Sequence, residues 1–249
     1  FPAIALWIID LPLGGFVVVF LASSGAALIA AGLGLFCKRQ SAETASAAGP
    51  DPGEKESLPG TSAFVDRSVL FAATLLLCVN LSYSATTYFL VLYTRTIGLE
   101  NLGWYFVAIG CTSLVARPLL GWASDRIGRG PAVAAGFVLE GAGLFLIMVA
   151  SDLALIIVAG VLYFLGSALG VSTTMALAIE RSDPQRRGVT MATFSVAFPL
   201  GSGFGAMLSG GLIEIVGYKG MYLAEILIAS AGLLFTLVNW SRLSRPVNR

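Results

Sequence analysis

The chain has 249 residues, of which 57% are hydrophobic and 12% charged, with a net charge of +1 and a mean hydropathy of +0.86. Soluble domains carry about 25% charged residues, so this composition calls for lipid around the chain, and it offers no basic face for nucleic acid. There is no histidine, and Cys37, Cys78 and Cys111 lack metal-site spacing, so no metal and no other cofactor is expected.

Phe1 opens the sequence inside an apolar stretch, without Met or a signal-peptide pattern, so the sequence reads as a piece of a longer protein. A helix needs roughly 20 apolar residues to cross a hydrocarbon core of about 30 Å. Residues 1–9 read as the last turns of one helix, closed by Asp10 and Pro12, and 15–37 as a full span. Cys37 ends that span beside Lys38 and Arg39, a position compatible with palmitoylation. Residues 38–67, rich in Ala, Ser, Gly and Pro with mixed charges, read as a flexible cytoplasmic linker. Six spans follow, at 68–93, 102–123, 131–150, 154–179, 189–213 and 221–240, with Cys78 and Cys111 expected as buried thiols inside them. The alternation of a membrane β-barrel is absent. The expected fold is therefore an all-α, polytopic helical bundle: 1–37, then the linker, then a six-helix unit over 68–241 and a cytoplasmic tail at 242–249.

Orientation follows from the basic residues. Lys38, Arg39, Lys55, Arg67, Arg126, Arg129, Arg181, Arg186, Arg187, Arg242, Arg245 and Arg249 fall on one side, and Arg95 and Lys219 on the other. Positive charge stays inside, so the first side and the C-terminus are expected in the cytoplasm, in a plasma (inner) membrane. The outer turn at Ser151-Asp152 is so short that its two helices must run antiparallel and close together.

Between two of these spans, on the cytoplasmic side, lies "GWASDRIGRG" (121–130). Gly121 would let a helix end approach another backbone closely, and Gly128 would permit a tight turn. Asp125 could dock on a helix N-terminus, which carries about half a positive charge and free N–H groups. Arg126 and Arg129 would hold the inner face. The plainer alternative is a hairpin that serves only as a topological anchor.

"RPLLGWASDRIGRG" resembles the cytoplasmic signature loop of the major facilitator superfamily, G-x-x-x-D-R-x-G-R. Gly121, Asp125, Arg126, Gly128 and Arg129 match position by position, and Arg117 stands where the family often has a basic residue one turn earlier. The departure is Gly130, where a second Arg or Lys is common. "DPQRRG" (183–188), with Arg187 and Gly188, is similar to the P-x-x-R-G loop before the family's eleventh helix. The resemblance implies that 1–9 ends the fifth helix, 15–37 is the sixth, and 68–240 holds the seventh to twelfth. It implies two six-helix halves about a pseudo-two-fold axis along the membrane normal. It also implies that Asp125 contacts the opposite half in the outward-facing state, with Glu180 part of the charge network of the gate.

Polar side chains in a membrane helix turn away from lipid. Asn80, Tyr83, Ser84 and Thr87 fall at i, i+3, i+4 and i+7, and Tyr163, Ser167, Gly170 and Thr174 repeat the pattern. Both stripes are candidates for lining a substrate cavity, since the family's seventh and tenth helices line its central one. The alternative is glue between helices, worth about 1 kcal/mol or less per contact. Gly201-x-x-x-Gly205 reads as a close-packing pattern. A carboxyl in apolar surroundings can hold a proton near neutrality, so Glu140 and Glu225 are proton-coupling candidates. The family's ninth and twelfth helices, on which they would lie, are peripheral supports.

No Walker loop, nucleophile elbow or other catalytic arrangement is present, so neither an enzyme nor ATP-driven transport is expected. The leading expectation is a secondary transporter of a small organic solute, working by alternating access, proton-driven, with efflux preferred over uptake. Its partners would be membrane lipid, the solute and an N-terminal half largely absent from this sequence. The alternative is an integral scaffold or assembly protein that keeps the helical fold and moves nothing.

Overall fold

The structure, a computed structural model, describes residue 25 and residues 69–99, 102–182 and 187–243, leaving aside the side chains of Arg117, Pro118, Arg187, Val189 and Arg242. The chain divides into two compact units, Phe1–Ser62 and Ala63–Arg249. In the first, Gly25 alone is described, a half-buried helical residue. The helix end at 1–9, most of the span at 15–37, Cys37, the linker at 38–67 and residues 183–186 lie outside the described residues.

Among the described residues, the second unit is helical throughout, with no strand. Helix α1, Leu70–Thr96, is long and apolar enough to cross a bilayer. It runs three residues past its expected end because Thr94 and Thr96 turn their hydroxyls back onto Val91 O and Tyr93 O, at 3.0 and 2.6 Å. A π-helical turn, Ala85–Phe89, interrupts it. Helix α2 is Gly103–Ile127, bent by 50° between Ala116 and Leu119, where Pro118 has no N–H to give. Helices α3 and α4 are Arg129–Val149 and Leu153–Arg181. Asp152 caps α4, its Oδ1 accepting from Leu155 N at 2.8 Å, which relieves one of the free donors of the first turn.

The last stretch, Arg187–Val238, counts 52 residues. At 1.5 Å per residue a straight helix of that length would reach about 78 Å, more than twice a bilayer core. It does not, because Gly217 breaks it with φ 72° and ψ −179°, a backbone conformation that only glycine adopts at low cost. The two limbs are α5 (187–216) and α6 (218–238), and a short α7, Trp240–Leu243, follows.

Two connections differ from the expected loops. Residues 124–127 continue α2, and only Gly128 (φ 96°) stands between α2 and α3. Likewise 214–220 is helix on either side of Gly217. Polar and charged residues at these places sit on terminal helical turns rather than in open loops, because a single positive-φ glycine reverses the chain.

Glycine sets the helix spacing. A methyl group on Gly136 would lie 3.1 Å from Gly166 O, and one on Gly143 would lie 2.6 Å from Tyr163 Cβ, so α3 and α4 touch almost backbone to backbone. A methyl on Gly201 would meet Asn80 Cβ at 2.8 Å, and one on Gly205 would collide with Leu81 O, which brings α5 onto α1. At Gly121, expected to allow such an approach, a methyl would meet nothing within 4 Å among the described residues.

Side chains pack into two apolar clusters stacked along the helices. One holds Val79, Phe137, Leu177 and Phe194 toward the Gly128 end. The other holds Ala85, Leu144, Tyr163 and Tyr222 toward the Asp152 end. Between them on α1, α3 and α6 lie Asn80, Ser82, Ser84, Glu140 and Glu225, all buried. Of the expected buried thiols, Cys78 is half-buried and Cys111 is exposed, because α2 turns that face away from its neighbours.

Candidate functional site

Two polar groupings stand out against this apolar background. The first closes the Gly128 end. Arg129, the first residue of α3, is 19% exposed and forks between two carboxylates. Its Nη1 donates to Asp125 Oδ1 at 2.6 Å, and its Nη2 and Nε donate to Glu180 Oε1 at 2.6 and 3.1 Å. Nη1 also reaches Ser124 Oγ at 3.1 Å, and Thr173 Oγ1 donates to the same oxygen at 2.9 Å. A planar guanidinium suits this geometry because its five donors are fixed in a fork. The last turns of α2 and α4 are thereby tied to the first turn of α3.

Among the described residues Asp125 pairs with the Arg129 side chain, because with Gly128 as the only break the two fall one turn apart; the expected contact with the opposite half lies outside the described residues. Arg126 lies apart, with its guanidinium 4.0 Å from the centre of the Trp122 ring, a cation–π contact. The side chains of Arg117 and Arg187 are outside the described ones. Nothing in the sequence marks Ser124 and Thr173. A hydroxyl on a helix marks nothing until its partner, 49 residues away, is placed beside it.

The second grouping is the layer between the apolar clusters. Ser82 Oγ on α1 donates to Glu140 Oε1 on α3 at 2.9 Å, and Ser209 Oγ on α5 donates to Glu225 Oε1 on α6 at 2.8 Å. Both carboxyls are buried, at 0% and 1% exposure. Among the described residues, the second oxygen of each, Oε2, has no partner within strict hydrogen-bond geometry. Tyr163 on α4 stands within side-chain hydrogen-bonding reach of Glu140, Ser82 and Thr86, and Glu140 is in electrostatic contact with Glu225. A buried polar atom without a partner costs about 1–3 kcal/mol. Two such oxygens, one on each carboxyl, lie in this layer, and a buried unpaired polar atom calls for a reason such as a proton or a working role. The two glutamates therefore face the interior of the unit, although their helices were expected to be peripheral.

The expected cavity stripes separate. Asn80 is buried and bonds back to Leu76 O at 2.8 Å, and Ser84 is buried and donates to Ser202 O on α5 at 2.6 Å. Thr174 is buried and bonds to Gly170 O at 2.8 Å, while a methyl on Gly170 would meet Val79 Cγ2 at 3.0 Å. Tyr83 is half-buried, and Thr87 and Tyr88 are exposed. Tyr83 packs its ring against Tyr88 and Phe198, with centroids 6.5 and 5.9 Å apart. Ser167 is half-buried. A stripe at i, i+3, i+4 and i+7 is wide enough for one margin to lie in a helix seam and the other outside it. Here Gly201 and Gly205 draw the Asn80–Ser84 margin into the seam.

The profile of the Major Facilitator Superfamily matches residues 97–248. The chain is 31% identical over 145 residues to the uncharacterized MFS-type transporter YddS of Bacillus subtilis (strain 168), covering 57% of this chain and 33% of that protein. It is 26% identical over 129 residues to a multidrug resistance protein B homolog of Mycobacterium tuberculosis (strain ATCC 25618 / H37Rv), covering 52% of this chain and 24% of that one. Among solved structures, the peptide transporter POT in complex with sulfate superposes with a TM-score of 0.62 at 19% identity, over 71% of this chain and 38% of the other. At that identity the likeness is one of fold. The chain spans a third or less of the length of these curated relatives.

Proposed function

Because the chain belongs to the Major Facilitator Superfamily, a family of multi-pass membrane proteins, we propose that it carries the C-terminal six-helix half of a secondary transporter. On this reading residues 68–241 rock against a second six-helix half, to which 1–37 contributes, and a solute is passed between two openings of a midplane site. The solute is a small organic molecule. The multidrug resistance name of the mycobacterial relative supports efflux over uptake. The protein sits in the plasma membrane with its Gly128 end and C-terminus in the cytoplasm.

The observation that carries this reading is the Arg129 fork. It lies on the signature-loop residues Asp125 and Arg129 and ties three helix ends at one face of the unit. A charge network at a terminal face, remote from the buried layer, suits a latch that holds when helix ends close and releases when they part. Exposed ion pairs of this kind are worth about 0–1 kcal/mol, or up to a factor of about 5 in a conformational equilibrium. Transport against a gradient also needs a driving ion, and the buried Glu140 supports a proton.

The test is a distance measurement. In the protein expressed from its own gene, spin labels are placed at the cytoplasmic ends of the two halves. Asp125→Asn, which keeps the shape and removes the charge, is expected to raise the population with those ends apart. An unchanged distribution together with unchanged solute flux would reduce the network to a topological anchor. For coupling, Glu140→Gln is expected to stop gradient-driven movement and leave solute exchange intact. Equal loss of both would make Glu140 structural.

A further inference from the structure

Ser82 has one hydroxyl proton and two acceptors. Its Oγ lies 2.9 Å from Glu140 Oε1 on α3 and 3.2 Å from Val79 O on its own helix. A hydroxyl donates one proton and accepts through its lone pairs, so which contact it serves depends on the state of Glu140. When Glu140 is ionised, the carboxylate is the stronger acceptor and takes the serine proton. When Glu140 holds a proton, its own O–H can donate to Ser82 Oγ, and the serine proton turns to Val79 O. One proton is gained or lost at the carboxyl, the Ser82–Glu140 hydrogen bond reverses, and one further hydrogen bond, from Ser82 to Val79 O, forms or breaks with it.

The place where this reversal occurs matters. Ser82 follows directly on the α-helical segment Leu70–Leu81 and stands just before the π-helical turn Ala85–Phe89. Its carbonyl accepts from Thr86 Oγ1 within that turn at 3.3 Å. The turn is also held at its first residue, where Ala85 O accepts from Tyr222 Oη on α6 at 3.4 Å. Single π turns recur at functional positions because their hydrogen-bond ladder is easily rearranged. This one carries Thr87 and Tyr88, both exposed, on the outer side of α1. The groups that act on Glu140 from the surrounding helices are Cys78 on α1, Tyr163 on α4 and Glu225 on α6, and Tyr222 acts in turn on Glu225. Glu225 answers to Ser209 on α5 instead of Ser82.

We propose that Ser82 is a positioning residue that reads the protonation of Glu140 and passes it, by reversing its hydrogen bond, to the π turn Ala85–Phe89 of α1. The relay deepens the proton-driven reading above and rests on it: it joins a buried proton site to the exposed part of the polar stripe.

The relay is tested on the protein expressed from its own gene, purified into lipid nanodiscs. Infrared difference spectra between two pH values show the carbonyl band of protonated carboxyls, and its loss in Glu140→Gln identifies the Glu140 component. Should that variant fail to insert, Glu225→Gln removes the other buried carboxyl and leaves the Glu140 band by itself. Hydrogen exchange at the amides of 85–90, normalised to an unstructured peptide at the same pH, is expected to change roughly threefold to tenfold between the two states, as one net hydrogen bond allows. Ser82→Ala should shift the Glu140 band and abolish that change, and Ser82→Thr, which keeps the hydroxyl, should preserve both. A Glu140 band indifferent to Ser82→Ala, or exchange at 85–90 indifferent to pH in the parent, overturns the relay. If both hold while vesicles show no proton-driven solute movement, the relay stands and the transport reading fails.

Discussion

Arg129, at the first position of α3, meets Glu180, near the end of α4, through two nitrogens on one oxygen, at 2.6 and 3.1 Å. The partners differ in exposure, 19% for Arg129 and 40% for Glu180. Solvent-exposed ion pairs are worth about 0–1 kcal/mol, so this contact is a poor candidate for holding the fold together. Arg129→Gln is expected to lower unfolding stability in mixed micelles by about 1 kcal/mol or less, while solute flux in the intact transporter falls tenfold or more. Flux that declines only in step with the amount of folded protein would assign the fork to stability alone.

The seam between α1 and α5 tolerates no side chain at Gly205, where a methyl group would collide with Leu81 O, a backbone atom that cannot swing away. Gly205→Ala should destabilise the unit by about 1–3 kcal/mol, the usual cost of overpacking. Two residues earlier, a methyl on Gly203 meets nothing within 4 Å among the described residues. Gly203→Ala should be neutral or add up to about 1 kcal/mol through helix propensity. Denaturant unfolding of the two variants side by side checks the seam, and equal responses would mean that α5 does not lie on α1 as described.

Asn80 and Thr87 belong to the same spacing pattern and differ in surroundings. Asn80 is buried and bonded within its helix, whereas Thr87 is exposed. Asn80→Ala is expected to cost about 1 kcal/mol or less in stability and to leave the KM for solute unchanged. Thr87→Ala is expected to raise KM severalfold with stability untouched. Initial-rate transport kinetics on both variants decide this, and the reverse assignment would place the cavity in the α1–α5 seam.

Ile127 and Ser151 are exposed and flank α3 at its two ends. A spanning α3 puts them on opposite sides of the bilayer. In a background with the native cysteines replaced, a membrane-impermeant thiol reagent should label Ser151→Cys on intact cells and Ile127→Cys only after permeabilisation. Labelling of both from outside would refute the span.

The sequence by itself determines the lipid-embedded helical class and the family. Both depend on local quantities: runs of apolar residues long enough for a bilayer, and a signature loop whose spacing is read along the chain. The turn at Gly128 was legible for the same reason, since φ 96° is a property of one residue's backbone. The partners of the charged and polar side chains were not legible. Glu140 finds Ser82 across 58 residues, and Arg129 finds Glu180 across 51, and no local pattern specifies which hydroxyl or carboxylate will stand opposite. The division of the α1 stripe was equally hidden, because periodicity names a face of a helix and not its neighbour. That neighbour was chosen by glycines on other helices: Gly201 and Gly205 admit α5 to the Asn80–Ser84 margin, and Gly136 and Gly143 draw α4 onto α3 beside Glu140. Contact between helices depends on where side chains are missing as much as on where they are present, and that is settled only when the helices are packed.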